Sequence, residues 1–186
     1  MNTSRDMTAT ALRQRPLAAI FWGGTAAGIF DLIQAFLGFG FLGVTPYKIL
    51  QHIAGGIFGS RSYQMGVISA VIGLGLHFMI ALTAATIYYL ASRKVPLLVN
   101  RAVLSGLLYG EAVFLFMYFL VLPLSALGPA QFNIASYITG PVGHPFLVGL
   151  PIALSVRRFA SPAFSGVSGR FSRNSALAAL FKSNEG

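Results

Sequence analysis

The chain has no cysteine, one tryptophan and only four acidic residues in 186 positions, and charged residues make up 9% of it. Without Cys there is no disulfide, no thiolate metal site and no Cys nucleophile. The shortage of charge excludes more. A soluble domain carries roughly a quarter charged residues, whereas this chain is 55% hydrophobic with a mean hydropathy of +0.73. Such a chain finds its solvent in a bilayer. Catalytic signatures are also missing. Neither G-x-S-x-G nor H-E-x-x-H nor a Walker or Rossmann glycine pattern occurs, and the glycines sit in apolar runs with no strand before them. The expectation is a protein that is not an enzyme and holds no cofactor or metal.

What is present are four apolar runs, at about 17–43, 66–91, 102–124 and 140–156. About 20 apolar residues cross a bilayer, so the first run is long enough to tilt and the fourth is short. Pro141, Pro145 and Pro151 predict that the fourth helix is kinked or partly unwound. The stretch 17–44 is far longer than the roughly 7–15 residues of a signal-peptide core and is read as a retained helix. The predicted fold is all-α: a polytopic bundle of four transmembrane helices over 17–158, a cytoplasmic tail at 1–16, and a basic, Ser-rich cytoplasmic tail at 159–186 with a short helix around 176–181. The bilayer is the expected partner.

The formal net charge of +9 flanks the apolar runs instead of forming a basic surface with interleaved aromatics, which excludes nucleic acid. Eleven Lys and Arg residues fall in the two tails and the loop between runs two and three, against Lys48 and Arg61 on the other side. By the positive-inside rule both termini are cytoplasmic, in a bacterial inner membrane. Trp22, Tyr88 and Tyr89 fit interfacial anchors. Between runs one and two, Thr45 can cap a helix, Pro46 fits its first position and Gly59 its end. Ile49, Leu50, Ile53, Ile57 and Phe58 recur at helical spacing, with Lys48, Gln51 and His52 elsewhere around the barrel. This predicts a short outer interfacial helix, with a lid or re-entrant gate as the alternative.

Each run carries one ionisable group: Asp31, His77, Glu111 and His144. Gly24, Ala27, Gly28, Asp31, Gln34, Ala35 and Gly38 share one face of the first helix, and Ser69, Gly73, His77, Ala81 and Ala84 one face of the second. Small residues let helices approach closely, so these groups point into the bundle, with Gln34 and Ser69 in support. The same Gly/Ala faces permit a homo-oligomer. At about 1.5 Å per residue, Asp31, His77, Glu111 and His144 lie roughly 21, 22, 15 and 20 Å from the basic ends of their helices. They form one predicted polar layer. It is read as a proton relay, proton-linked transport or pH sensing, because intramembrane ionisable groups are functional candidates. The alternative is a structural or partner-binding subunit whose carboxylate–histidine bonds fix helix register. A metal site fits less well, because the Glu-x-x-His motif of di-iron bundles is missing.

The third run with GLLYGEAVFLFMYFLVLPLSAL and the fourth with GPVGHPFLVGLPIALSVRRF, together with His77, Pro123 and Gly143-His144 followed by Arg157-Arg158, resemble the YagU-like bacterial inner-membrane proteins. That resemblance implies a small four-helix inner-membrane protein without an established reaction. Glu111 and the first outer segment depart from the pattern.

Overall fold

The computed structural model of the chain describes residues 15–129 and 140–159, and it is helical with no strand among them. Most of the predicted tails, with the short helix at 176–181, lies outside the described residues. Helix α1, Pro16–Gly40, opens on a proline, whose missing N–H costs nothing in the first turn, and leads to a turn at Gly43 (φ 78°). Helix α2, Pro46–Phe58, is followed by a 3₁₀ turn, Gly59–Gln64. Helix α3 is Val67–Ser92, and α4 is one turn, Leu97–Asn100. Helix α5, Ala102–Phe116, runs on through a π turn, Met117–Val121, and a last turn, Leu122–Leu124. The final run is helical over 140–144, forms a second π turn at Pro145–Gly149, and ends as α6, Leu150–Phe159.

Three helices among the described residues are long and apolar enough to cross a membrane: Pro16–Gly40, Val67–Ser92 and Ala102–Leu124. The fourth run expected to cross, 140–156, is not among them. The final run is described only over 140–159 and ends on Arg157 and Arg158, which leaves a shorter apolar stretch. Its prolines predicted a kinked or partly unwound helix; the run stays helical and departs from regular α-helix at the π turn. Each π turn lies just before a proline, Pro123 in one case and Pro151 in the other. A proline ring collides with the carbonyl four residues back and offers it no N–H; one widened turn relieves that collision and keeps the chain helical.

Helix α1 is central, with α3 on one side and α6 on the other. It runs antiparallel to the final run: Arg15 N–H donates to the Phe159 carbonyl (3.3 Å) and Ser155 Oγ to that of Ala19 (2.9 Å). Ala19, Ala27, Ala85, Tyr88, Ile152 and Val156 lie in the buried core. Tyr88 and Tyr89, expected as interfacial anchors, are buried; Tyr88 donates to the Leu98 carbonyl (2.9 Å) and meets the Tyr109 ring at 4.9 Å. Trp22 is exposed. The outer faces of the long helices are apolar, with Phe21, Ile29, Phe30, Ile33 and Leu37 open on α1, as lipid-facing surfaces require.

Helix α2 closes the end of the bundle opposite the basic one. Its boundaries are those expected from local chemistry: the Thr45 hydroxyl accepts from Lys48 N–H (3.4 Å), Pro46 holds the first position, and Gly59 takes a left-handed φ of 59°. Its seating was not expected. Gln51, predicted off the apolar stripe, is buried. Its Nε2 donates to the Gly66 carbonyl (3.1 Å) and to Ser69 Oγ (3.3 Å), while the Ser69 hydroxyl donates to the Ser62 carbonyl (2.6 Å). Ile57, predicted on the apolar stripe, is exposed. At the other end of the cap, the Ala126 N–H donates to the Gly56 carbonyl (3.0 Å), tying α2 to the segment after α5.

On the cap's outer side the His52 Nδ1 meets the Tyr63 hydroxyl at 2.8 Å. The atoms packed around the ring lower the His52 pKa below its ordinary 6.5 through desolvation, although part of the side chain stays open. A histidine that folding keeps neutral contributes stability above pH 6.5, and this is lost as pH falls below it. The opening free energy of α2, read from amide exchange after correction for the intrinsic pH dependence of exchange, should therefore fall between pH 7.5 and about pH 5. His52→Gln should remove that difference; an unchanged pH response in the variant would put the sensitivity elsewhere.

Candidate functional site

Asp31 and His144 come together. Asp31 sits four turns into α1, on the face whose Gly24, Ala27 and Gly28 are buried. His144 is the last residue before the second π turn. The His144 Nε2 lies 3.7 Å from Asp31 Oδ1, with both side chains half-buried at 21% and 24% exposure. The antiparallel seating of α1 against the final run makes this register. From the Arg15–Phe159 contact, each helix advances about 22 Å before reaching its ionisable residue. One turn beyond, the Gln34 side chain fills the space a Cβ on Gly143 would occupy. Phe114 of α5 covers the pair, its ring 5.3 Å from the His144 imidazole and packed against Gly140.

The second nitrogen decides the chemistry. His144 Nδ1 lies 3.1 Å from the Gly140 carbonyl, four residues earlier in the same helix. A carbonyl only accepts, so Nδ1 carries the hydrogen. Neutral His144 then turns the bare lone pair of Nε2 toward the Asp31 carboxylate, and two acceptors facing each other repel. The contact is attractive only with one further proton, held either as imidazolium against carboxylate or as carboxylic acid donating to Nε2. Geometry thus leaves Nε2 and the Asp31 carboxylate facing each other across the contact of the two helices.

His77 and Glu111 are not part of that contact. His77 Nε2 donates to the Gly28 carbonyl of α1 (2.9 Å), one turn before Asp31, and its ring stands edge-on to Phe78. Its predicted bond to a carboxylate is replaced by a bond to backbone: the α1–α3 approach at Gly24 and Gly28 brings the α1 main chain within reach of the ring. Glu111, half-buried on α5, makes no hydrogen bond or ion pair among the described residues. It follows Gly110, whose face is taken up by the His144 carbonyl and Pro145, so its own side chain leaves at another angle. Among the described residues no three His, Asp or Glu side chains gather closely enough to hold a metal ion. The expected four-membered layer is therefore one carboxyl–histidine contact, one histidine on backbone and one separate carboxyl. Ser69, expected beside the layer, belongs to the buried network under α2.

Composition singled out Asp31 and His144, but their pairing was hidden, since only the relative slide of two helices brings them level. No signal in the sequence marks Gln51 for burial: Tyr47 and Lys48, one turn before it, are exposed, and its own polarity favours the surface. No family model, curated protein or solved structure matches the chain, so the YagU-like resemblance gains no support from comparison.

Proposed function

We propose that this is a four-span inner-membrane protein that binds and passes protons at the Asp31–His144 pair, with His77 as the neighbouring relay group. The observation that carries the reading is the 3.7 Å contact of Asp31 with a His144 whose Nδ1 is already committed to Gly140, so the pair needs one proton to be stable. The antiparallel contact of α1 with the final run supports a fourth crossing over 140–159, because its helical turns run beside α1 for about 28 Å from the Arg15–Phe159 contact. Among the described residues Arg15, Arg93, Lys94, Arg101, Arg157 and Arg158 lie at one end, against Lys48 and Arg61 at the other, which supports cytoplasmic termini. Membership of the YagU-like group belongs to this proposal and rests on the resemblance alone.

A second reading is a packing subunit without transport, favoured by the His77 bond to main chain and by Gln34 seated on Gly143. Self-association in that case would use other faces than Gly24, Gly28, Gly106 and Gly110, which meet helices of the same chain. The two readings separate on proton flux in liposomes loaded with a pH-sensitive dye. The proton reading expects wild-type flux above that of empty liposomes and a return to the empty level for His144→Gln. Wild-type flux no greater than that of empty liposomes would leave the packing role.

A further inference from the structure

At the basic end, the start of α5 and the end of α6 enclose an open groove of 330 Å³. Arg101 and Arg157 stand on its rim from two different elements, beside Asn100, and Val103, Leu104 and Leu107 line the part that runs along α5. Both arginines are exposed, and neither makes an ion pair or hydrogen bond through its side chain among the described residues. The only acidic residues described, Asp31 and Glu111, are several turns away within their helices. Two guanidinium groups therefore line one groove with no anion among the described residues to meet them.

Below them the surface changes character. Val103, Leu104 and Leu107 lie at i, i+1 and i+4, on one side of a helix long and apolar enough to cross a membrane, and Val103 and Leu104 are more than half exposed. Charge at the end of a span and an apolar strip descending from it match the two halves of one molecule. We propose that this groove binds an anionic phospholipid, its phosphate held by Arg101 and Arg157 and an acyl chain laid along Val103, Leu104 and Leu107. Guanidinium takes phosphate oxygens in a bidentate fork, and basic pockets between transmembrane helices hold acidic headgroups. A free phosphate would satisfy the arginines and leave the strip bare. An acidic peptide would need polar surface where these side chains are.

The test uses the full chain in a neutral detergent, with lipid binding counted by native mass spectrometry during titration with phosphatidylglycerol. Wild type should hold one phosphatidylglycerol in preference to phosphatidylcholine, and Arg101→Gln with Arg157→Gln should weaken it by about tenfold. Lys94→Gln with Arg158→Gln removes the same charge outside the groove and should stay within about twofold of wild type. Val103→Trp keeps both arginines but fills the strip, and it too should weaken the lipid. Equal weakening by the two charge pairs would overturn the proposal in favour of general surface attraction. Equal uptake of phosphatidylcholine would also overturn it, as would unchanged binding in Val103→Trp with displacement by inorganic phosphate, which would make the ligand a free anion. Each variant should melt as wild type does in the same detergent, since the side chains changed are exposed.

Discussion

Asp31→Asn should bring proton flux in liposomes down to the level of empty vesicles while leaving the protein folded. The substitution removes the titrating oxygen and replaces it with a group of nearly the same shape. A carboxamide N–H then faces the bare Nε2 of His144, whose other nitrogen stays on Gly140, so an acceptor–acceptor clash becomes a donor–acceptor contact without any added proton. The contact survives and the exchangeable proton is lost. Thermal midpoints should agree within about 4 °C, the shift that about 1 kcal/mol produces in a chain of this length. The partner change, His144→Gln, should stop flux as well, and the two together should lose no more than either alone, because one site is being removed twice. Residual flux in Asp31→Asn above that of empty vesicles would mean that protons take a path avoiding the pair. Asp31→Ala makes the contrast, since it leaves the His144 lone pair in apolar surroundings without a partner; it should cost about 1–3 kcal/mol.

Gly149→Ala should be the most damaging single methyl group in the bundle. At this position the second π turn presses against α5. A Cβ there would collide with the Gly106 carbonyl oxygen and stand 2.5 Å from the Gly110 nitrogen and 2.7 Å from its Cα. All three are backbone atoms, so no side chain can rotate away and the helices must separate. They cannot do so alone, because the same contact sets the seating of His144, whose carbonyl packs on Gly110. Over-packing of this kind costs about 1–3 kcal/mol, which at this chain length lowers the midpoint by roughly 2–12 °C. Gly75→Ala is the control of opposite sign. A Cβ at Gly75 meets nothing within 4 Å, so the change should raise stability by up to about 1 kcal/mol through helix propensity. If both substitutions melt alike, glycine is not needed at the α5 contact.

The difference between these two glycines shows what was legible. Both lie in apolar helices and look equivalent in sequence; the structure shows Gly149 against Gly106 and Gly110, and Gly75 with nothing near it. Which helix would approach, and that a π turn would supply the opposing backbone, depended on how Pro151 was accommodated. The cap divides the same way. Thr45, Pro46 and Gly59 act on atoms within four residues, so the ends of α2 were readable. The burial of Gln51 was not, because only the meeting of α2 with Gly66 and Ser69 supplies the acceptors that make a buried amide tolerable.

By itself the sequence determined the solvent, the helices and the residues that carry chemistry. Hydropathy, caps and one ionisable group per run are local properties, and local energetics decides them. Tertiary structure alone decided that Asp31 meets His144 and not His77. Two antiparallel helices slid into register by Gly and Ala contacts bring one side chain level with another more than a hundred residues away, while the close α1–α3 approach gives His77 a carbonyl before it can reach a carboxylate. A shift of one turn in either contact would change both partners, and no pattern within one helix records that slide.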